Sequence, residues 1–140
     1  MLDNDIIRDT LLCIEKVCEP FTDDSNRFVA KAKVHWKSIY EDDYLCSKYL
    51  IDDIKYCIIK LKEAGMIDAV IYGRTDKISF MDIDDITWLG HEFLNNIRDD
   101  GVWNQIKNKA GTLAKVSLSV VADIAKEIAA SALNSKLGIV

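Results

Sequence analysis

The sequence predicts a mostly helical α+β fold, and three features carry that reading. Apolar residues recur at helical spacing through most of the 140-residue chain. Two isoleucine-bearing runs flank a turn-forming stretch from Gly73 to Lys77, as paired strands would. Proline occurs once, at position 20, so little interrupts the helical patterns that follow it.

The first helix runs from Leu2 to Cys18, where Ile7, Leu11, Ile14 and Val17, joined by Ile6 and Leu12, share one face. Pro20 closes it, since proline lacks the amide hydrogen a helix needs. Asp23, Asp24, Ser25 and Asn26 read as a turn. From Arg27 to Lys37, Phe28, Ala30, Ala32, Val34 and Trp36 alternate with more polar residues, which is a strand pattern. The same stretch also fits a helix through Phe28, Ala32, His35, Trp36 and Ile39.

Glu41 to Ala64 reads as one long helix or two abutting ones, with Ile51, Ile54, Ile58 and Leu61 on one stripe and Leu45 and Leu50 upstream. Gly65 ends it, because glycine reaches the left-handed conformation without a side-chain penalty. Met66–Tyr72 and Ile78–Met81 are the two strands, and the acidic Asp82, Asp84 and Asp85 follow the second. Thr87 is an N-cap for a helix carrying Trp88, Leu89, Phe93, Leu94 and Ile97. A short helix with Val102, Trp103 and Ile106 comes next. After Gly111 and Thr112 a last helix reaches about Lys136, with Leu113, Val116, Val120, Val121, Ile124, Ile128 and Leu133 as a wide apolar stripe.

Helix, strand, helix or helix pair, hairpin and further helices follow in the order of a winged helix-turn-helix core with a small β-wing and a C-terminal helical extension. The expected division is a winged-helix-like domain over 1–100 and an extension over 101–140 that packs on it or dimerises.

Composition narrows the function. A hydrophobic content of 49%, 29% charged residues and a mean hydropathy of zero belong to a folded chain. The apolar stretch from Val116 to Ala122 ends at Asp123, short of the roughly 20 residues of a membrane span. Asp3, Asp5 and Asp9 stand where a signal peptide would be basic, so the expected location is the cytoplasm. Cys13, Cys18, Cys46 and Cys57 include no C-x-x-C pair, and His35 and His91 lack ligand spacing, so neither metal nor cofactor is expected. The cysteines read as core filler. His91-Glu92 lacks the second histidine of a metalloprotease, and no phosphate loop or nucleophile elbow occurs, so no catalysis is expected. His91 reads as a packed structural histidine, and Trp36, Trp88 and Trp103 as core.

Two strings carry a resemblance. Leu61-Lys62-Glu63-Ala64-Gly65-Met66-Ile67, followed after the hairpin by Ile86-Thr87-Trp88-Leu89-Gly90, resembles the pattern of many bacterial winged-helix regulators. The run Thr87 to Leu94, continued through Ile97-Arg98-Asp99-Asp100-Gly101-Val102-Trp103-Asn104, resembles a phage and prophage family known as domain of unknown function 2513. The likeness spans roughly Asp52 to Leu137. It implies the fold, a cytoplasmic location and a mobile-element origin, and no ligand.

If the helix ending at Ala64 enters a DNA groove, Lys55, Tyr56, Lys60 and Lys62, with Arg74 and Lys77 of the wing, make the phosphate and base contacts. A second basic row, Arg27, Lys31, Lys33, His35 and Lys37, would line one face of an extended strand. Net charge weighs against DNA: the chain carries -5, and phosphate contacts dominate DNA affinity. Asp68, Asp76, Asp82, Asp84 and Asp85 crowd the wing, while 101–140 is positive. The competing partner is therefore a host protein docked on the acidic surface or the apolar tail. A homodimer through Val116, Val120, Ile124 and Ile128 of the last helix is also expected.

Overall fold

The computed structural model describes residues 4–30, 33–74, 77–110 and 118–138. It shows the helix-rich α+β class read from the sequence. Helix α1 (Asn4–Cys18) buries Ile6, Ile7, Leu11, Ile14 and Cys18, the spacing that defines its apolar face. Beyond Pro20 the chain forms a small hairpin of β1 (Phe21–Thr22) and β2 (Phe28–Val29). Its turn is tied by the Asp23 carboxylate, which accepts from the backbone N–H groups of Ser25 and Arg27, each at 2.9 Å.

Strand β3 is only Val34–His35. The expected single strand over Arg27–Lys37 is thus two short pieces in two different sheets, and Lys37 already opens helix α2 (Lys37–Tyr40). Alternation survives only in the second piece, where half-buried Val34 and buried Trp36 flank exposed His35. In β2 Phe28 is 72% exposed and Val29 is the half-buried residue, and Ala30 and Lys33 belong to neither strand. The basic row is dispersed with it. Arg27 pairs with Asp23 at 3.0 Å, the Nδ1 of His35 accepts from the backbone of Lys37, and Lys31 lies outside the described residues.

The long helical stretch is two helices, α3 (Asp43–Lys48) and α4 (Ile51–Glu63). Asp42 caps the first, accepting from the N–H of Leu45 at 3.2 Å. Tyr49 between them is extended because its hydroxyl donates to the Asp9 carboxylate of α1 at 2.6 Å, an oxygen that Lys48 also reaches at 3.0 Å. The break exposes Leu50 and Ile51, while Leu45, Ile54, Cys57, Ile58 and Leu61 are buried.

Gly65 leaves α4 at φ +74°, as anticipated for a glycine cap. Strands β4 (Ile67–Arg74) and β5 (Lys77–Ile86) then form an antiparallel hairpin, and β3 joins on the far side to give the order β3-β5-β4. The acidic Asp82, Asp84 and Asp85 lie inside β5 and do not end it, because Met81, Ile83 and Ile86 alternate with them and enter the core.

Helix α5 (Trp88–Ile97) starts on the predicted cap, with the Thr87 hydroxyl accepting from Gly90 N–H at 3.0 Å. The same hydroxyl donates to Gly65 O at 2.6 Å, and Thr87 N–H donates to Met66 O at 3.0 Å. At Gly90 an added Cβ would stand 2.1 Å from Met66 O. The two halves of the Gly65…Thr87-x-x-Gly90 string therefore clamp the end of α4 to the start of α5.

Helices α6 (Asp100–Ala110) and α7 (Leu118–Lys136) follow. Val121 and Ala125 of α7 join the core cluster that includes Trp103 and Ile106 of α6 and runs back to α1. Helices α6 and α7 therefore pack on each other and on the preceding elements. Cys13, Cys18 and Cys57 are buried within that core, whereas Cys46 is exposed. No helix among the described residues is long and apolar enough to cross a membrane.

Candidate nucleic-acid interface

Helix α4 turns Ile54, Cys57, Ile58 and Leu61 inward, which forces Lys55, Tyr56 and Ile59 to its outer side. There they meet the start of β5. Trp36, Asp52, Lys55, Tyr56, Ile59, Lys77 and Ile78 line one open groove of about 560 Å³ between the helix and the hairpin.

The Lys55 ammonium lies 4.6 Å from the centre of the Tyr40 ring and 5.5 Å from that of Trp36. These contacts steady the cation without neutralising it. Among the described residues no carboxylate pairs with Lys55, Lys62, Arg74 or Lys77. Lys60 differs: Glu63 holds it at 2.9 Å, its hydrogen bond to that carboxylate raises its pKa, and its ammonium lies 5.3 Å from the Tyr56 ring centre.

The structure thus brings Lys55, Tyr56 and Lys77 to one groove, with Lys60 tied up beside it. Lys62, half-buried, and Arg74, exposed at the end of β4, are not among its lining residues. Trp36, Ile59 and Ile78 belong to the groove and escaped sequence reasoning, which assigned Trp36 to the core. Trp36 is indeed 5% exposed, and its ring is shared between core and groove. Trp103 is buried as expected, but Trp88 is 80% exposed, a correction to its core assignment. Its first-turn position on α5 points it away from the clamp, and its indole N–H donates to Glu92 at 3.1 Å. His91 is half-buried.

The groove's surroundings are not uniformly basic. Asp52 lines it, and Asp84 and Asp85 are exposed farther along β5. No group of three or more His, Cys, Asp or Glu side chains among the described residues could hold a metal ion.

The residues expected at a dimer seam are partly used within the chain. Ile124 and Ile128 pack against the core cluster, Val120 is 46% exposed, and Val116 lies outside the described residues. The physical reason is that Val121 and Ala125 face α5 and α6, so the flanks of the same stripe are drawn inward with them.

A family model described as "Hypothetical protein (DUF2513)" matches residues 1–117. An uncharacterized protein of Haemophilus influenzae (strain ATCC 51907 / DSM 11121 / KW20 / Rd) is 33% identical over 86 residues, covering 61% of this chain and 70% of that protein. No solved structure matches the chain. With its model spanning most of the sequence, the Gly65…Thr87-x-x-Gly90 clamp included, the chain belongs to the DUF2513 family.

Proposed function

We propose that this protein is a non-catalytic DNA-binding regulator in which α4 enters the major groove and the β4–β5 hairpin acts as a wing. The observation that carries the reading is the groove where Lys55 and Tyr56 of α4 stand beside Lys77 of β5, with both cations free of carboxylate partners among the described residues. The connectivity supports it: helix, strand, helices, α4, then a hairpin with β3 on its outer side is the plan of a winged helix. The resemblance to phage and prophage proteins carried by the Thr87–Asn104 strings supports a regulator that works in the cytoplasm of a bacterial host. A net charge of -5 makes binding weak unless the groove concentrates positive potential locally.

The test is titration of a labelled random duplex at low and moderate salt, beside a Lys55→Glu/Lys77→Glu variant. Expected is salt-sensitive binding whose log–log salt slope falls by about two in the variant, about one per lost phosphate contact. Absence of binding at low salt refutes the reading.

A second reading rests on Trp88, whose 80% exposure beside Leu89 makes it an anchor for a protein partner, with Asp84 and Asp85 as acidic rim. In that reading the protein is an inhibitor or adaptor of a host protein.

A further inference from the structure

Strand β4 forms an edge of the sheet, since the order β3-β5-β4 leaves one side of it without a neighbouring strand among the described residues. Beyond Ala69 it is exposed throughout, and it carries Val70, Ile71 and Tyr72 at 37–46% exposure. A long, apolar, uncovered edge is a template for a further strand. Both irregularities in its pairing, between Asp68 and Ala69 and between Tyr72 and Gly73, place the extra residue on β5 (Asp84 and Ser79). Alternation along β4 itself is therefore unbroken: Asp68, Val70, Tyr72 and Arg74 face outward, away from the core that Ala69 enters.

We propose that β4 pairs antiparallel with β4 of a second copy, about a twofold axis through Ile71. An axis perpendicular to the sheet keeps the outer face outer in both copies, so residues opposite each other must share a face. Centred on Ile71, the register sets Asp68 opposite Arg74 at both ends, Val70 opposite Tyr72 twice, and Ile71 opposite itself.

Charge complementarity selects this register. Neither Asp68 nor Arg74 has an ion-pair partner among the described residues, and the pairing supplies one to each, twice. Moving the axis one same-face step, onto Val70, would instead set Asp68 against Tyr72 and leave Arg74 unmatched. Apolar continuity agrees. Tyr72 already stacks on Phe80, centroids 4.5 Å apart, and Phe80 on His35 at 5.1 Å. Val70 of the second copy would extend that band across the seam, and Ala69 opposite Gly73 leaves room on the inner face.

A single strand pair buries less than the about 1,200–2,000 Å² of a standard interface, so the dimer forms only at elevated concentration. Sedimentation velocity across a wide concentration series, without DNA, reads it directly and is independent of the DNA-binding reading. Wild type is expected to pass from monomer to dimer. Asp68→Arg sets arginine against arginine at both ends and weakens association on the order of tenfold. The double variant Asp68→Arg/Arg74→Asp restores it, and Ile71→Lys, with two lysines facing on the axis, abolishes it. All three positions are exposed, and circular dichroism verifies folding of each variant. A wild type that stays monomeric, association that survives Ile71→Lys, or association lost instead on Val120→Asp in α7 overturns the proposal.

Discussion

Replacing Gly90 by alanine tests the clamp between α4 and α5. The new methyl would stand 2.1 Å from Met66 O, 2.6 Å from Ile86 Cγ2 and 3.0 Å from the Met66 carbonyl carbon. The Ile86 side chain can rotate away. Met66 O cannot, because it accepts the Thr87 N–H at 3.0 Å in the connection that starts α5. Ordinary contact begins near 3.4 Å, so α5 must retreat by about 1.3 Å. Overpacking of this kind costs about 1–3 kcal/mol. Straining the Thr87 bonds to Met66 O and Gly65 O adds about 1 kcal/mol for each bond lost. Alanine returns about 1 kcal/mol through its better helix propensity. The net expectation is a loss of about 2–4 kcal/mol, a large share of the 5–15 kcal/mol typical of a domain. Urea unfolding followed by far-ultraviolet circular dichroism measures it, with a melting temperature lowered by roughly 10 °C. Gly101→Ala is the milder comparison: there the new methyl meets only the Asp99 carboxylate oxygen, at 3.0 Å, which accepts from Val102 N–H at 2.9 Å. Weakening this cap by about 1 kcal/mol offsets alanine's helix propensity, and stability should hold. A Gly90→Ala protein within about 0.5 kcal/mol of wild type, inside the usual range for harmless surface changes, would refute the clamp.

Two further outcomes follow from the core and its margins. Burial alone would raise the Asp5 carboxyl, but hydrogen bonds from Lys107 at 2.9 Å and Trp103 at 2.8 Å, with the lysine charge, outweigh it and hold it below its ordinary value. A depressed folded-state value means this contribution is complete above the unfolded carboxylate range near about pH 4 and fades as pH falls through the folded value. Asp5→Asn should therefore be less stable than wild type at neutral pH, with the gap closing in acid; a gap independent of pH contradicts this. For the thiols, burial first pushes Cys57 and Cys13 up to about 12, and Cys18 is also buried. A disulfide reagent at neutral pH should label Cys46 quickly and the other three only after unfolding.

Local patterns made much of the fold legible. Thr87 as a cap and Gly65 as a stop depend on hydrogen bonds and dihedrals within a few residues, and both stand where the sequence put them. The break at Tyr49 was not legible as a position, because its cause is a hydroxyl bond to Asp9, 40 residues away. Nor was the exposure of Trp88, since one helical spacing serves an indole facing core or solvent alike. Of the candidate site, the basic residues of α4 could be listed from the sequence. Which of them share a groove with Lys77, and which Glu63 ties down, could not.

The sequence alone determined the number and kind of most elements, the helix-rich class and the family likeness, since periodicity, caps and motif strings are short-range properties of the chain. Tertiary structure decided the rest: the split of β2 from β3, the continuation of β5 through Asp82, Asp84 and Asp85, the burial of Val121 and Ala125 in the common core, and the open edge of β4. Each of these is set by which distant residues supply the missing hydrogen bond or cover the apolar face, and such partners carry no fixed spacing along the chain.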